Sequence, residues 1–154
     1  MVKYTYPLPN NIKFKKHTGQ HHEEFTVSRF AIDFIVPLGT PVLAARSGKV
    51  ISVKKDSKKF LSDIKKIKKM KPEQLDKFVE KYTNYVCIAH SDGSFAEYCH
   101  LDTNVQVKES QKVEVGEVIG YCGMTGLTTQ PHLHFNVFIV KNGKAQSIPI
   151  EFKN

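Results

Sequence analysis

Apolar residues along this chain arrive in short bursts separated by turn residues. "FAIDFIV" (30–36), "PLGTPVLAA" (37–45) and "SGKVISV" (47–53) read as strands, with Pro37, Gly39, Pro41 and Gly48 marking tight turns between them. Further on, "YVCIAH" and "FAEYCHL" flank "SDGS", whose Asp-Gly pair is a strong hairpin signal. In "VQVKESQKVEVGEVIGYCG" the apolar positions Val113, Val115, Val118 and Ile119 cluster around Gly116. "HLHFNVFIV" and "AQSIPIEF" flank "KNGK", a second hairpin turn. Many short strands at regular spacing predict a mainly β chain, an antiparallel sandwich or barrel-like fold.

The period changes between residues 54 and 82. Phe60, Ile64 and Ile67 recur at helical spacing, with Leu61 beside them and lysines on the opposite face. Asp56 or Ser57 is placed to cap this helix. A second helix is predicted in "KPEQLDKFVEKY": Pro72 suits its first turn, Glu73 its dipole, and Leu75, Phe78, Val79 and Tyr82 form a stripe. A helical excursion between strands reads as an insertion at about 54–82 in one domain spanning 1–154. No internal repeat indicates a solenoid.

Length and composition agree with this picture. At 154 residues the chain fits a single domain with its own core. No apolar run is long enough to span a membrane, and "MVKYTYPLPN" lacks the apolar stretch of a secretory signal. The net charge of +8 is concentrated: residues 54–81 hold eleven lysines and five acidic residues, leaving the remainder near +2. Basicity confined to one segment argues against a nucleic-acid partner. Three cysteines, Cys87, Cys99 and Cys122, are an odd number without CxxC spacing. They exclude a disulfide framework and a thiolate zinc site, and read as small apolar strand residues.

The candidate chemistry lies in histidines and one aspartate. His132 and His134 sit two apart in "QPHLHF", so a strand presents both on one face. Two neutral imidazoles on one face need two partners, and a shared metal or a metal-plus-proton division of labour supplies them. Asp33 interrupts an apolar strand, where a carboxylate needs pairing or a metal. Imidazole with carboxylate is the donor set of catalytic zinc. His100, in "EYCHL", is expected on the strand face of Tyr98 and is weak evidence alone. His90, beside a turn, reads as non-catalytic. His17, His21 and His22 in "KKHTGQHHEEF" are either surface residues or the source of a third ligand.

Taken together, "FAIDFIVPLGTPVLAARSGKV", "NYVCIAHSDGSFAEYCHL" and "VQVKESQKVEVGEVIGYCGMTGLTTQPHLHF" resemble the lysostaphin-type (LytM-like) zinc metallopeptidases. The resemblance covers most of residues 30–138 outside the insertion. It implies an antiparallel β fold with a groove, a bound Zn2+, and hydrolysis of peptide bonds in bacterial cell-wall peptidoglycan. It implies metal ligands at Asp33 and His134, and catalytic roles for His132 and His100. It also implies a periplasmic, cell-envelope or secreted site of action, inferred from that substrate. Many members carry the first zinc histidine four residues before the aspartate, where this chain has Arg29. Arginine does not give up its proton to bind a metal. The family's use of a more distant upstream histidine then implies His21, with His22 next to it and His17 farther away. Gln130 stands where a glycine is common.

Two other classes compete with the peptidase. A non-catalytic LytM-like regulator or cell-wall binding module would explain Arg29. A phosphocarrier or lipoyl-like module would explain "GKVISV" and "KVEVGEVIG", but it leaves Asp33 without a role.

Overall fold

The computed structural model describes residues 1–18 and 27–153. In chain order the strands are β1 (Val2–Tyr4), β2 (Lys15–Thr18), β3 (Ile32–Ile35), β4 (Pro41–Leu43), β5 (Gly48–Lys54) and β6 (Phe60–Leu61). Helices α1 (Ile64–Lys69) and α2 (Pro72–Tyr82) follow. Then come β7 (Tyr85–Ala89), β8 (Phe95–Cys99), β9 (Lys112–Val113), β10 (Val118–Tyr121), β11 (Gly126–Leu127), β12 (His132–Lys141), β13 (Lys144–Ser147) and β14 (Ile150–Phe152). The chain is mainly β, as its alternating pattern predicts.

One large sheet organises the molecule. Its order is β2-β3-β12-β8-β7-β5-β9, with β13 pairing the far half of β12, and the pairings within it are antiparallel. The two predicted hairpins are present. β7 and β8 join through Asp92-Gly93. β12 and β13 join through Asn142 and Gly143, both at positive φ, the geometry a two-residue hairpin turn requires.

One face of this sheet is the core. Phe34, Leu133, Phe135, Val137, Ala96, Tyr98, Val86 and Ile88 point to it, at strict alternation along β3, β12, β8 and β7. Opposite them lie Val42 of β4 and Ile119 of β10, a two-stranded antiparallel pair, together with Tyr4 of β1. The Tyr98 hydroxyl accepts the Ala45 N–H across this interior at 2.9 Å, so the largest polar group in it is satisfied. Because alternate residues go inward, His132, His134 and Asp33 are left on the other face.

The insertion differs from expectation at its start. Phe60 and Leu61 are not helical; they pair in parallel with Gly126 and Leu127. Helix α1 begins at Ile64, and its cap is Asp63, whose carboxylate accepts the Lys65 and Lys66 N–H groups. Ser57 instead exchanges backbone hydrogen bonds with the Asn84 side chain. Tertiary pairing here overrides local helix propensity. Helix α2 matches its prediction, with Pro72 in its first turn.

Gly126 is where the insertion closes against the rest. Its φ is +88°, and a Cβ there would collide with the Thr83 side chain. Gly126→Ala is therefore expected to destabilise the protein by more than about 1 kcal/mol, since both backbone and packing object. Urea unfolding measures it; an unchanged midpoint would show that this junction yields.

Candidate active site

Strand register builds the site. β3 lies between β2 and β12, and the partner of Asp33 is His17 on one side and His134 on the other. His134 in turn pairs with Cys99 of β8. Directly paired residues project on the same face, so this row runs His17, Asp33, His134, Cys99 across four strands. His132 lies one same-face step along β12, opposite Ile35.

His100 arrives by a different route. Simple alternation would place it with Tyr98 in the core. Strand β8 ends at Cys99, and His100 takes a left-handed conformation with φ 69°. That turns its ring to the other face, 4.5 Å from the His132 ring centroid and 6.0 Å from that of His134. A positive φ on a non-glycine residue costs energy that the surroundings must recover. Here a hydrogen bond of 2.7 Å from His100 Nδ1 to the Thr125 carbonyl fixes the ring.

The hydrogen bonds separate the three imidazoles. A carbonyl oxygen only accepts, so His100 Nδ1 carries the proton and Nε2 keeps its lone pair. His132 Nδ1 likewise donates, to the Gln130 carbonyl at 3.0 Å. Its Nε2 lies 3.9 Å from Asp33 Oδ1. His134 Nδ1 also donates, but to the Asp33 carboxylate, at 2.9 Å, so its partner is a charged group that could exchange this proton for a cation. The four residues line one cleft of about 430 Å³ together with Ile64, Ile67, Leu127, Thr128 and Thr129.

An aspartate oxygen and an imidazole nitrogen 2.9 Å apart on adjacent strands fit two corners of a zinc coordination shell, whose bonds are about 2.0–2.2 Å. Among the described residues, no group of three His, Cys, Asp or Glu side chains gathers around one point. His21, the expected third ligand, and His22 lie outside the described residues. His17 shares the row with Asp33, but it is exposed and lines a neighbouring hollow with Lys13, Phe14, Lys15, Ile35 and Gln130. Arg29 is also turned elsewhere. Its guanidinium lies 5.5 Å from the Phe30 ring centroid, in a hollow with Thr18 and Pro149.

The thiols supply no nucleophile. Burial raises Cys99 far above its ordinary value and pushes Cys87 up to about 12. His90 is structural, with Nδ1 donating to the Ser47 carbonyl at 2.8 Å. Two further residues act on the site histidines. Glu97 lies on the row's face, one step from Cys99; burial raises its carboxyl, opposed by the His134 imidazole. It carries the same signal as Asp33, an acid inside an apolar strand. Thr125, which holds His100, has no such signal, because its role depends on a loop folding back.

Burial, with His132 and His134 adding to it, lowers the His100 pKa to about 3 in the metal-free protein. The unfolded chain takes up this proton near the ordinary value of 6.5, whereas the native state refuses it. Stability contributed here is thus full above that value and falls as pH drops toward 3. NMR of the metal-free protein is expected to show the His100 ring neutral from pH 8 to pH 4. A His100 midpoint above 6 would refute this burial.

The comparisons with known proteins bear on this arrangement. The model of peptidase family M23 matches residues 28–148, which include Asp33, His100, His132 and His134 but neither His21 nor His22. The chain is 34% identical over 108 residues to the peptidoglycan DD-endopeptidase ShyB of Vibrio cholerae, covering 70% of this chain and 20% of that protein. It thus spans about a fifth of the curated relatives it matches. A zinc containing peptidase from Vibrio cholerae superposes with a TM-score of 0.60 at 26% identity, covering 94% of this chain and 38% of the other. The catalytic domain of lysostaphin from Staphylococcus simulans gives 0.56 at 25% identity, covering 87% and 88%. With the match spanning both halves of the histidine cleft and the sheet that carries it, the chain belongs to peptidase family M23.

Proposed function

We propose that this chain is a zinc-dependent endopeptidase that hydrolyses peptide bonds of bacterial cell-wall peptidoglycan, acting at the cell envelope. The observation that carries the reading is the split among the three imidazoles. His134 offers Nδ1 to Asp33, while His100 and His132 have Nδ1 tied to carbonyls. Family membership and the similarity to ShyB, a peptidoglycan DD-endopeptidase, support the substrate class.

Asp33 and His134 would hold the metal, with His21 as third ligand. When bound, zinc supplies a Lewis acid that polarises a scissile carbonyl and makes water easier to deprotonate. The chain's own residues manage the protons. His100 keeps its Nε2 lone pair available because Thr125 holds the only ring proton at Nδ1. His132, its Nδ1 held likewise by the Gln130 carbonyl, brings a second Nε2; once that nitrogen has taken up the proton released by the water, it can donate to the oxyanion or pass the proton to the leaving amine. Arg29 lines a separate hollow, so its charge does not plug the cleft.

A non-catalytic regulator on the same fold has one feature in its favour, Arg29 at a position where many relatives carry a zinc histidine. Zinc content after purification and reconstitution decides it: a chain that takes up none supports the regulator.

His134→Ala is expected to lose zinc and activity together. His132→Ala is expected to retain most zinc and to lose at least about 100-fold in kcat. Equal zinc loss in both would sink the division of roles. In the same assay His21→Ala should lose zinc and His17→Ala keep it. The opposite result would move the third ligand to β2, and loss in His22→Ala alone would move it one residue on.

A further inference from the structure

The lysine-rich insertion has no part in the chemistry above, and its helices bury none of their own residues. Its base is nonetheless locked to the catalytic loop. The Lys59 and Leu61 carbonyls accept the Gly126 and Thr128 N–H groups at 3.0 and 3.1 Å. Asn84 exchanges two hydrogen bonds with Ser57, and its own N–H donates to Thr125 Oγ1 at 3.0 Å. Thr125 is the residue whose carbonyl holds His100. The base from which α1 springs is therefore fixed relative to the histidines.

What α1 presents there is apolar at the centre and cationic around it. Ile64 and Ile67, three residues apart, line the same cleft as Asp33, His100, His132 and His134. Ile64 is 55% exposed, a bare isoleucine at the mouth of a polar cleft. Lys65, Lys66, Lys68 and Lys69 surround it, all exposed, and the one acid at the helix start, Asp63, is engaged as the cap. Eleven lysines against five acids make this segment the most positive part of the chain. A single-sign field beside a cleft raises the local concentration of the opposite charge.

We infer that α1 is a substrate-selecting wall of the cleft. Ile64 and Ile67 pack against an apolar residue flanking the scissile amide, and the surrounding lysines favour a peptide arm that carries free carboxylates. This rests on the peptidase reading for the identity of the occupant but not on turnover. Continuity with the histidine cleft distinguishes this occupant from a distant anionic polymer, which would need the lysines but not the isoleucines.

The test is binding to the full chain after chelator treatment, so that no bond is cut. The probe is a fluorescent hexapeptide with an apolar central pair and two free carboxylates within two residues of the central amide; its amidated counterpart is the control. At low salt the carboxylate peptide should bind about tenfold more tightly than the amide, and the gap should shrink as salt screens it. In the K65Q/K66Q/K68Q/K69Q variant the gap should fall below about twofold, and Ile64→Ser with Ile67→Ser should weaken both peptides by a similar factor. An undiminished preference in the lysine variant would overturn the inference. So would an inorganic polyphosphate that outcompetes the peptide and is indifferent to the isoleucine changes. Circular dichroism of each variant separates loss of binding from loss of fold. A chain that binds as expected yet holds no zinc and cuts no peptide would fail the peptidase reading alone.

Discussion

The pairing of β3 with β12 is the constraint on which the site depends. Asp33 stands opposite His134, and Phe34 and Phe135 beside them go to the other face. A slip of β3 by one residue would send Phe34 to solvent and Asp33 into the core. The hydrophobic core thus enforces the register that brings the carboxylate within 2.9 Å of the imidazole. Full burial of each phenylalanine contributes about 1.5–3 kcal/mol. Together with the cost of burying the Asp33 charge, this outweighs one hydrogen bond between site residues, so packing, not the site, decides the alignment.

A second layer of control acts through the chain leading into β12. The segment carrying Thr125, Gly126 and Thr128 bonds backward to the insertion and forward to His100. It holds His100 at a positive φ that no alternating strand would give. The segment at 54–82 and His100 therefore share one support. Ile64 and Ile67 of α1 thus line the same cleft as the histidines.

Burial, not the Thr125 hydrogen bond, keeps the His100 imidazole neutral. His100 is enclosed beside two other imidazoles, and each disfavours its charged form. A ring held neutral with Nε2 bare is ready to receive a proton.

Much of this was legible in the chain. The period of two in "FAIDFIV" and "HLHFNVFIV" decided which residues face inward, because a half-buried strand leaves only one choice of face. It put His132 and His134 together and marked Asp33 as out of place. The Asp-Gly and Asn-Gly pairs announced their hairpins, because few residues tolerate the backbone they require. The lysine helices announced themselves by period, but not their neighbours. Only the tertiary structure decided that Phe60 and Leu61 leave the helix for a strand partner, that His100 turns away from Tyr98, and that Glu97 and Thr125 join the site. Each of these depends on a contact between residues far apart in the chain, and local pattern carries no record of such contacts.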